Sequence, residues 1–136
     1  MFLVEEKQTQ VKYAAKFLKI RKRSYREQAV QEISILKILH HENIIKYIDT
    51  FIDRQSIIIV MEYVDGGELF MKISQDEYSL TEANCANFIS QICHGVEYLH
   101  NMSVVHLDLK VKIHICTYIC RWLCRCRGIF MDGHIP

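Results

Sequence analysis

Residues Ile57-Ile58-Ile59-Val60-Met61 form an apolar run with no alternation. A strand with one solvated face alternates apolar and polar residues, so this run predicts a central strand covered on both faces. Such a strand needs neighbours, and the flanking sequence offers them. Ile44 to Ile52 is also β-rich, and Asp53-Arg54-Gln55-Ser56 separates it from Ile57 to Val64, which predicts a hairpin. Upstream, Val11 to Leu18 mixes apolar and polar residues at roughly strand period. Glu5 to Gln10 is polar enough to turn the chain back onto Phe2-Leu3-Val4, so the chain opens as strand, turn, strand.

Helical patterns stand on either side of this second hairpin. A basic stretch, Lys19 to Arg23, leads to Ser24, and Glu27 follows three residues later at the spacing of a capping box. Ala29, Ile33, Leu36 and Leu39 then recur as one helical stripe, with Glu32 beside it and His40-His41-Glu42-Asn43 closing the helix. After Asp65-Gly66-Gly67, residues Glu68 to Ile73 suit a short helix. Thr81 and Glu82 start a longer one, in which Cys85, Ile89, Ile92, Val96 and Leu99 mark an apolar face. Strands with one helix, followed by helices and no internal repeat, make an α+β chain.

Composition removes several classes of function. Seventeen Lys plus Arg against 16 Asp plus Glu leave a formal charge of +1, which gives no reason to propose a nucleic acid or a membrane surface as partner. No apolar run approaches the ~20 residues of a membrane span. Met1-Phe2-Leu3-Val4 runs straight into Glu5-Glu6-Lys7, without the pattern of a signal peptide. The expected setting is cytoplasmic. The six cysteines would then be reduced thiols, and the sequon Asn101-Met102-Ser103 would go unused.

Val104-Val105-His106-Leu107-Asp108-Leu109-Lys110 places an acid and an amine two residues apart between apolar anchors. With the motifs upstream, it resembles a eukaryotic protein kinase in order and spacing. Tyr13-Ala14-Ala15-Lys16 is similar to the strand whose Lys holds the α and β phosphates, and Glu32 to the helix Glu that pairs with it. Met61-Glu62-Tyr63-Val64, followed by Asp65-Gly66-Gly67-Glu68-Leu69-Phe70, resembles a gatekeeper and hinge. His106-Leu107-Asp108-Leu109-Lys110 resembles the catalytic loop, with Leu107 in place of the usual Arg. That Leu, with the strand and hinge motifs, points to the myosin light chain kinase, death-associated kinase and titin-like group.

The resemblance implies a kinase N-lobe with its hinge and first C-lobe helices over residues 1–110, and ATP with Mg²⁺ as cofactors. Lys16, oriented by Glu32, would hold phosphates. Glu62 C=O and Val64 N–H would face the adenine edge, with Ala14 and Met61 as apolar walls. Glu68 would reach a ribose hydroxyl or a basic substrate residue. Asp108 would accept or orient the proton of a protein Ser or Thr hydroxyl, and Lys110 would stabilise the transferred phosphoryl group.

Departures from the pattern carry equal weight. No Gly-rich loop precedes Tyr13, Val111 follows Lys110 where Pro is usual, Ile113 replaces the metal-binding Asn, and Asp-Phe-Gly occurs nowhere. The expectation is a kinase domain truncated at both ends and inactive. The alternative is a non-catalytic remnant that binds nucleotide or protein partners. Helix 82–100, deprived of the helices that normally cover its stripe, would expose an apolar face that favours self-association.

Residues 111–136 leave the family pattern. Cys116, Cys120, Cys124 and Cys126, with His114 and His134, are poorly spaced for zinc, and no metal site is assigned. An amphipathic surface helix using Lys112, Arg121, Trp122, Arg125 and Arg127 fits no better. This tail is expected to be irregular or the product of a mis-spliced or wrongly assigned reading frame.

Overall fold

The computed structural model describes residues 1–65, 81–106, 114–116, 119–121 and 129–131, and among these the side chains of 1–65 and 81–105. The chain divides into two units, Met1–His40 with Lys46–Tyr63, and His41–Ile45 with Val64–Pro136.

The first unit is an antiparallel sheet and one helix. Strands β1 (Phe2–Glu5), β2 (Lys12–Lys19), β3 (Tyr47–Ile52) and β4 (Ser56–Glu62) lie in the order β1-β2-β4-β3. The unalternating run is therefore an interior strand, flanked by β2 and β3. Ile57, Ile59 and Met61 are fully buried, and they oppose Leu18, Lys16 and Ala14 across β2. Val60 faces the other way and is also buried, opposite Ala15. Towards the sheet's margins this second face opens to solvent, where Phe2 and Phe17 meet edge to face with ring centroids 5.0 Å apart.

Helix α1 (Arg23–Ile38) buries Ala29, Ile33, Ile35 and Leu36. Leu39, just past its end, is buried as well. The helix starts one residue before the predicted cap. Lys22 is the N-cap, its carbonyl accepting from Tyr25 N–H at 3.1 Å, and no side chain caps the end. Glu27 does not reach back to an amide, because its carboxylate accepts from Arg23 Nε at 2.9 Å, an exposed i,i+4 pair. At the other end Lys37 Nζ sits 5.6 Å from the Tyr47 ring centroid, a cation–π contact that links α1 to the start of β3.

In the second unit, α2 (Glu82–Asn101) begins as predicted. Thr81 Oγ1 accepts from Asn84 N–H at 3.2 Å, satisfying one of the amides a helix start leaves orphaned. The predicted apolar face needs one correction. Ile89 is 60% exposed, whereas Phe88 is half-buried and Gly95 and Leu99 are buried. At about 100° per residue Ile89 lies roughly 80° round the helix from Leu99, on the shoulder, while Phe88 and Gly95 lie nearer the centre. On this axis the covered stripe is Cys85, Phe88, Ile92, Gly95, Val96 and Leu99. His41 stacks on Tyr98 with centroids 4.9 Å apart, and its Nδ1 accepts from Asn43 N–H at 3.1 Å.

The end of α2 turns sharply. Met102 N–H donates to Tyr98 O at 3.1 Å and Ser103 N–H to His100 O at 2.9 Å, with Ser103 at φ 57°. A left-handed residue with a Cβ is strained by ~1 kcal/mol or more, which Gly avoids at some entropic cost. Ser103→Gly is therefore expected to stabilise the fold by about 0.5 kcal/mol, read as a shift in urea midpoint at constant m.

The chain then enters β5 (Val104–His106), whose Val104 is fully buried. Short strands β6 (His114–Cys116) and β7 (Ile119–Arg121) pair as a hairpin, and β8 (Ile129–Met131) pairs antiparallel with β5. Among the described residues no helix is long and apolar enough to cross a membrane.

Candidate functional site

Lys16 stands in the middle of β2, on the face shared with Ala14 and Leu18, because strand side chains alternate. Glu32 stands on α1, next to buried Ile33. The sheet and the helix bring them together: Lys16 Nζ donates to Glu32 Oε1 at 2.6 Å, with each side chain 19% exposed. An ion pair this short and this sheltered differs from the usual surface pair, whose flexible partners stay solvated. An ammonium has three N–H donors and no acceptor. Glu32 takes one of them and fixes the direction of the group.

Apolar surface lies beside the ammonium. Ala14 and Met61 are directly opposite across β2 and β4, both buried, on the same face as Lys16 and Ile59. A flat apolar group placed against this face would have a cation at one end. Four of the residues singled out from the sequence, Ala14, Lys16, Glu32 and Met61, thus belong to one arrangement within the first unit.

Glu62 ends β4. Its N–H donates to Lys46 O at 3.0 Å, and its carboxylate Oε1 accepts from Lys46 N–H at 2.6 Å. The sequence pointed to the main chain of Glu62 but carried no sign of this side-chain bond, which depends on residues sixteen positions apart. Val64 follows, half-buried, in the second unit. Glu68, Asp108 and Lys110 lie outside the described residues, as do Leu107, Val111 and Ile113; β5 ends at His106, just before them.

Among the described residues no three His, Cys, Asp or Glu side chains are grouped to hold a metal ion. Where the kinase resemblance places a magnesium-binding Asn, Ile113 has a hydrocarbon side chain with no donor atom. Ile113 therefore supplies no magnesium ligand at that position.

Comparison with known proteins extends over most of the chain. Residues 1–113 match the family described as protein kinase domain. Myosin light chain kinase family member 4 of Homo sapiens is 44% identical over 113 residues, which is 83% of this chain and 29% of that protein. Myosin light chain kinase 3 of Homo sapiens is 45% identical over 112 residues, 82% of this chain and 14% of that protein. The smooth-muscle myosin light chain kinase of Gallus gallus is 40% identical over 117 residues, 86% of this chain and 6% of that protein. The chain thus spans less than a third of the length of these relatives. Among solved structures, the twitchin kinase fragment of C. elegans superposes with a TM-score of 0.79 at 31% identity, over 85% of this chain and 26% of that one. A longer twitchin kinase region gives a TM-score of 0.80 at 29% identity, over 88% of this chain and 22% of that one.

Proposed function

The chain belongs to the protein kinase family, and from that premise we propose that it binds ATP on the Lys16–Glu32 pair and leaves the terminal phosphoryl group in place. The observation that carries this reading is the ion pair itself, at 2.6 Å between β2 and α1. A positive group held in a fixed direction beside the buried Ala14 and Met61 suits a ligand with an aromatic body and an anionic tail. In this reading Glu62 C=O and Val64 N–H meet the adenine edge, and Glu68 meets the ribose or a basic substrate residue.

The parent activity is ATP-dependent phosphorylation of protein Ser or Thr, in a cytoplasmic setting. Asp108 would take the hydroxyl proton and Lys110 would neutralise the group in transfer. In this chain the transfer step fails for want of charge neutralisation. Ile113 stands in place of a metal ligand and no Asp-Phe-Gly supplies the other.

Thermal melting in rising ATP tests the binding. A ligand that binds only the folded chain stabilises it by about 2.7 kcal/mol at a hundred times its dissociation constant, a rise of several degrees. The unsubstituted chain is expected to show that rise, and Lys16→Met to lose most of it. A melting temperature indifferent to ATP in the unsubstituted chain would contradict the proposal.

A further inference from the structure

The basic stretch ahead of α1 takes no part in the site described above. Arg21, Lys22 and Arg23 stand directly before Ser24, and no other Ser or Thr of the chain follows three consecutive cations. The fold adds to this charge. Ile20 N–H donates to Gln55 O at 2.8 Å and Arg26 Nη1 to Asp53 O at 3.4 Å, so the turn between β3 and β4, with its exposed Arg54, lies against the same segment. Carboxylates offset little of it: Arg23 pairs with Glu27 in an exposed contact, and the first turn of α1 holds no acidic residue. Helix starts favour anions, because the aligned peptide dipoles leave partial positive charge there. This one gathers cations instead, an arrangement that by itself lowers stability.

Ser24 lies in that first turn, exposed, and among the described residues its hydroxyl has no hydrogen-bond partner. With no side-chain cap on the end, the turn opens at low cost, which lets a modifying enzyme take the segment in extended form. We propose that Ser24 is a phosphoacceptor site for an arginine-directed Ser/Thr kinase, an enzyme separate from this chain whose carboxylate-lined groove takes Arg21 and Arg23. In the transfer Ser24 Oγ forms a bond to the γ-phosphorus of ATP as the bond to the β–γ bridging oxygen breaks; ADP leaves, and the hydroxyl proton passes to the base of the modifying enzyme. The product carries a charge of about −1.5 to −2 among the cations that precede it, at a helix end that lacks an anion. The start of α1 is then held more firmly, an effect that salt screens.

The test incubates the full chain with γ-labelled ATP and a purified arginine-directed Ser/Thr kinase, maps the label by digestion, and measures the melting temperature before and after. One phosphate per chain is expected, on Ser24, with none in Ser24→Ala. Arg21→Gln keeps the hydroxyl and lies before the helix, so it retains the fold by circular dichroism; its labelling is expected to be about tenfold slower. The phosphorylated chain is expected to melt about 3 °C higher at low salt, the gain shrinking in about 0.5 M NaCl. A phosphate that stayed solvated would leave melting unchanged. Label confined to other residues, equal labelling of Arg21→Gln and the unsubstituted chain, or a melting temperature that phosphorylation leaves unchanged or lowers would overturn the inference.

Discussion

Ile59→Ala is expected to cost about 2–5 kcal/mol of folding stability. Ile59 lies in the interior strand β4, fully buried, opposite Lys16 on one side and Thr50 on the other. Removing its outer carbons forfeits their transfer free energy and leaves a cavity that two paired strands cannot close by moving. Domains of ordinary size are stable by ~5–15 kcal/mol, so this one truncation removes a large part of the total. It should also loosen the ground beneath Lys16. The contrasting case is Ile89, an isoleucine that the sequence pattern placed on the apolar face of a helix and that the structure leaves 60% exposed. Ile89→Ala is expected to change stability by about 0.5 kcal/mol or less. Urea unfolding followed by circular dichroism measures both.

The other large effect belongs to the proposal that this chain does not transfer phosphate. Label from γ-labelled ATP is expected to reach protein or peptide acceptors no faster than in buffer, and Asp108→Ala should change nothing. Phosphoryl transfer depends on positioning and on neutralising the charge that builds on the equatorial oxygens. Loss of a single preorganised group of that kind costs on the order of 10²- to 10³-fold in rate. The chain lacks two, with Ile113 in one position and no Asp-Phe-Gly to provide the other, so the combined loss is on the order of 10⁴-fold or more. Ile113→Asn alone is expected to restore no transfer. An intact Asp108 has little to act on when the phosphoryl group is not activated.

Much of the fold was legible because its strongest signals are local. The unbroken apolar run of β4 pointed to an interior strand, and Asp53-Arg54-Gln55-Ser56 set its hairpin with β3. The pairing of that run with the Lys16 strand was not legible, since it joins two separate hairpins. The pairing of Lys16 with Glu32 came through the kinase resemblance; neither residue announces it by spacing. Three further features were out of reach. Ser24 and Glu27 satisfy the spacing of a capping box, but Arg23 precedes them and takes the carboxylate, so the helix begins earlier. On α2, steps of three and four describe more than one stripe, and only packing decides between Phe88 and Ile89. The bond from Lys46 to the Glu62 carboxylate depends on the register of β3 against β4, which shifts between Tyr47 and Asp49. No sequence pattern specifies such an irregularity.

Binding without transfer is the central claim, and one measurement reads both halves. The chain is equilibrated with γ-labelled ATP and a Ser/Thr peptide mixture, separated by dialysis, and assayed for bound nucleotide and for label on peptide or protein. The expected result is ATP bound intact, lost in Lys16→Met, with no label transferred. Label transfer that disappears in Asp108→Ala would contradict the claim, as would the absence of bound ATP in the unsubstituted chain.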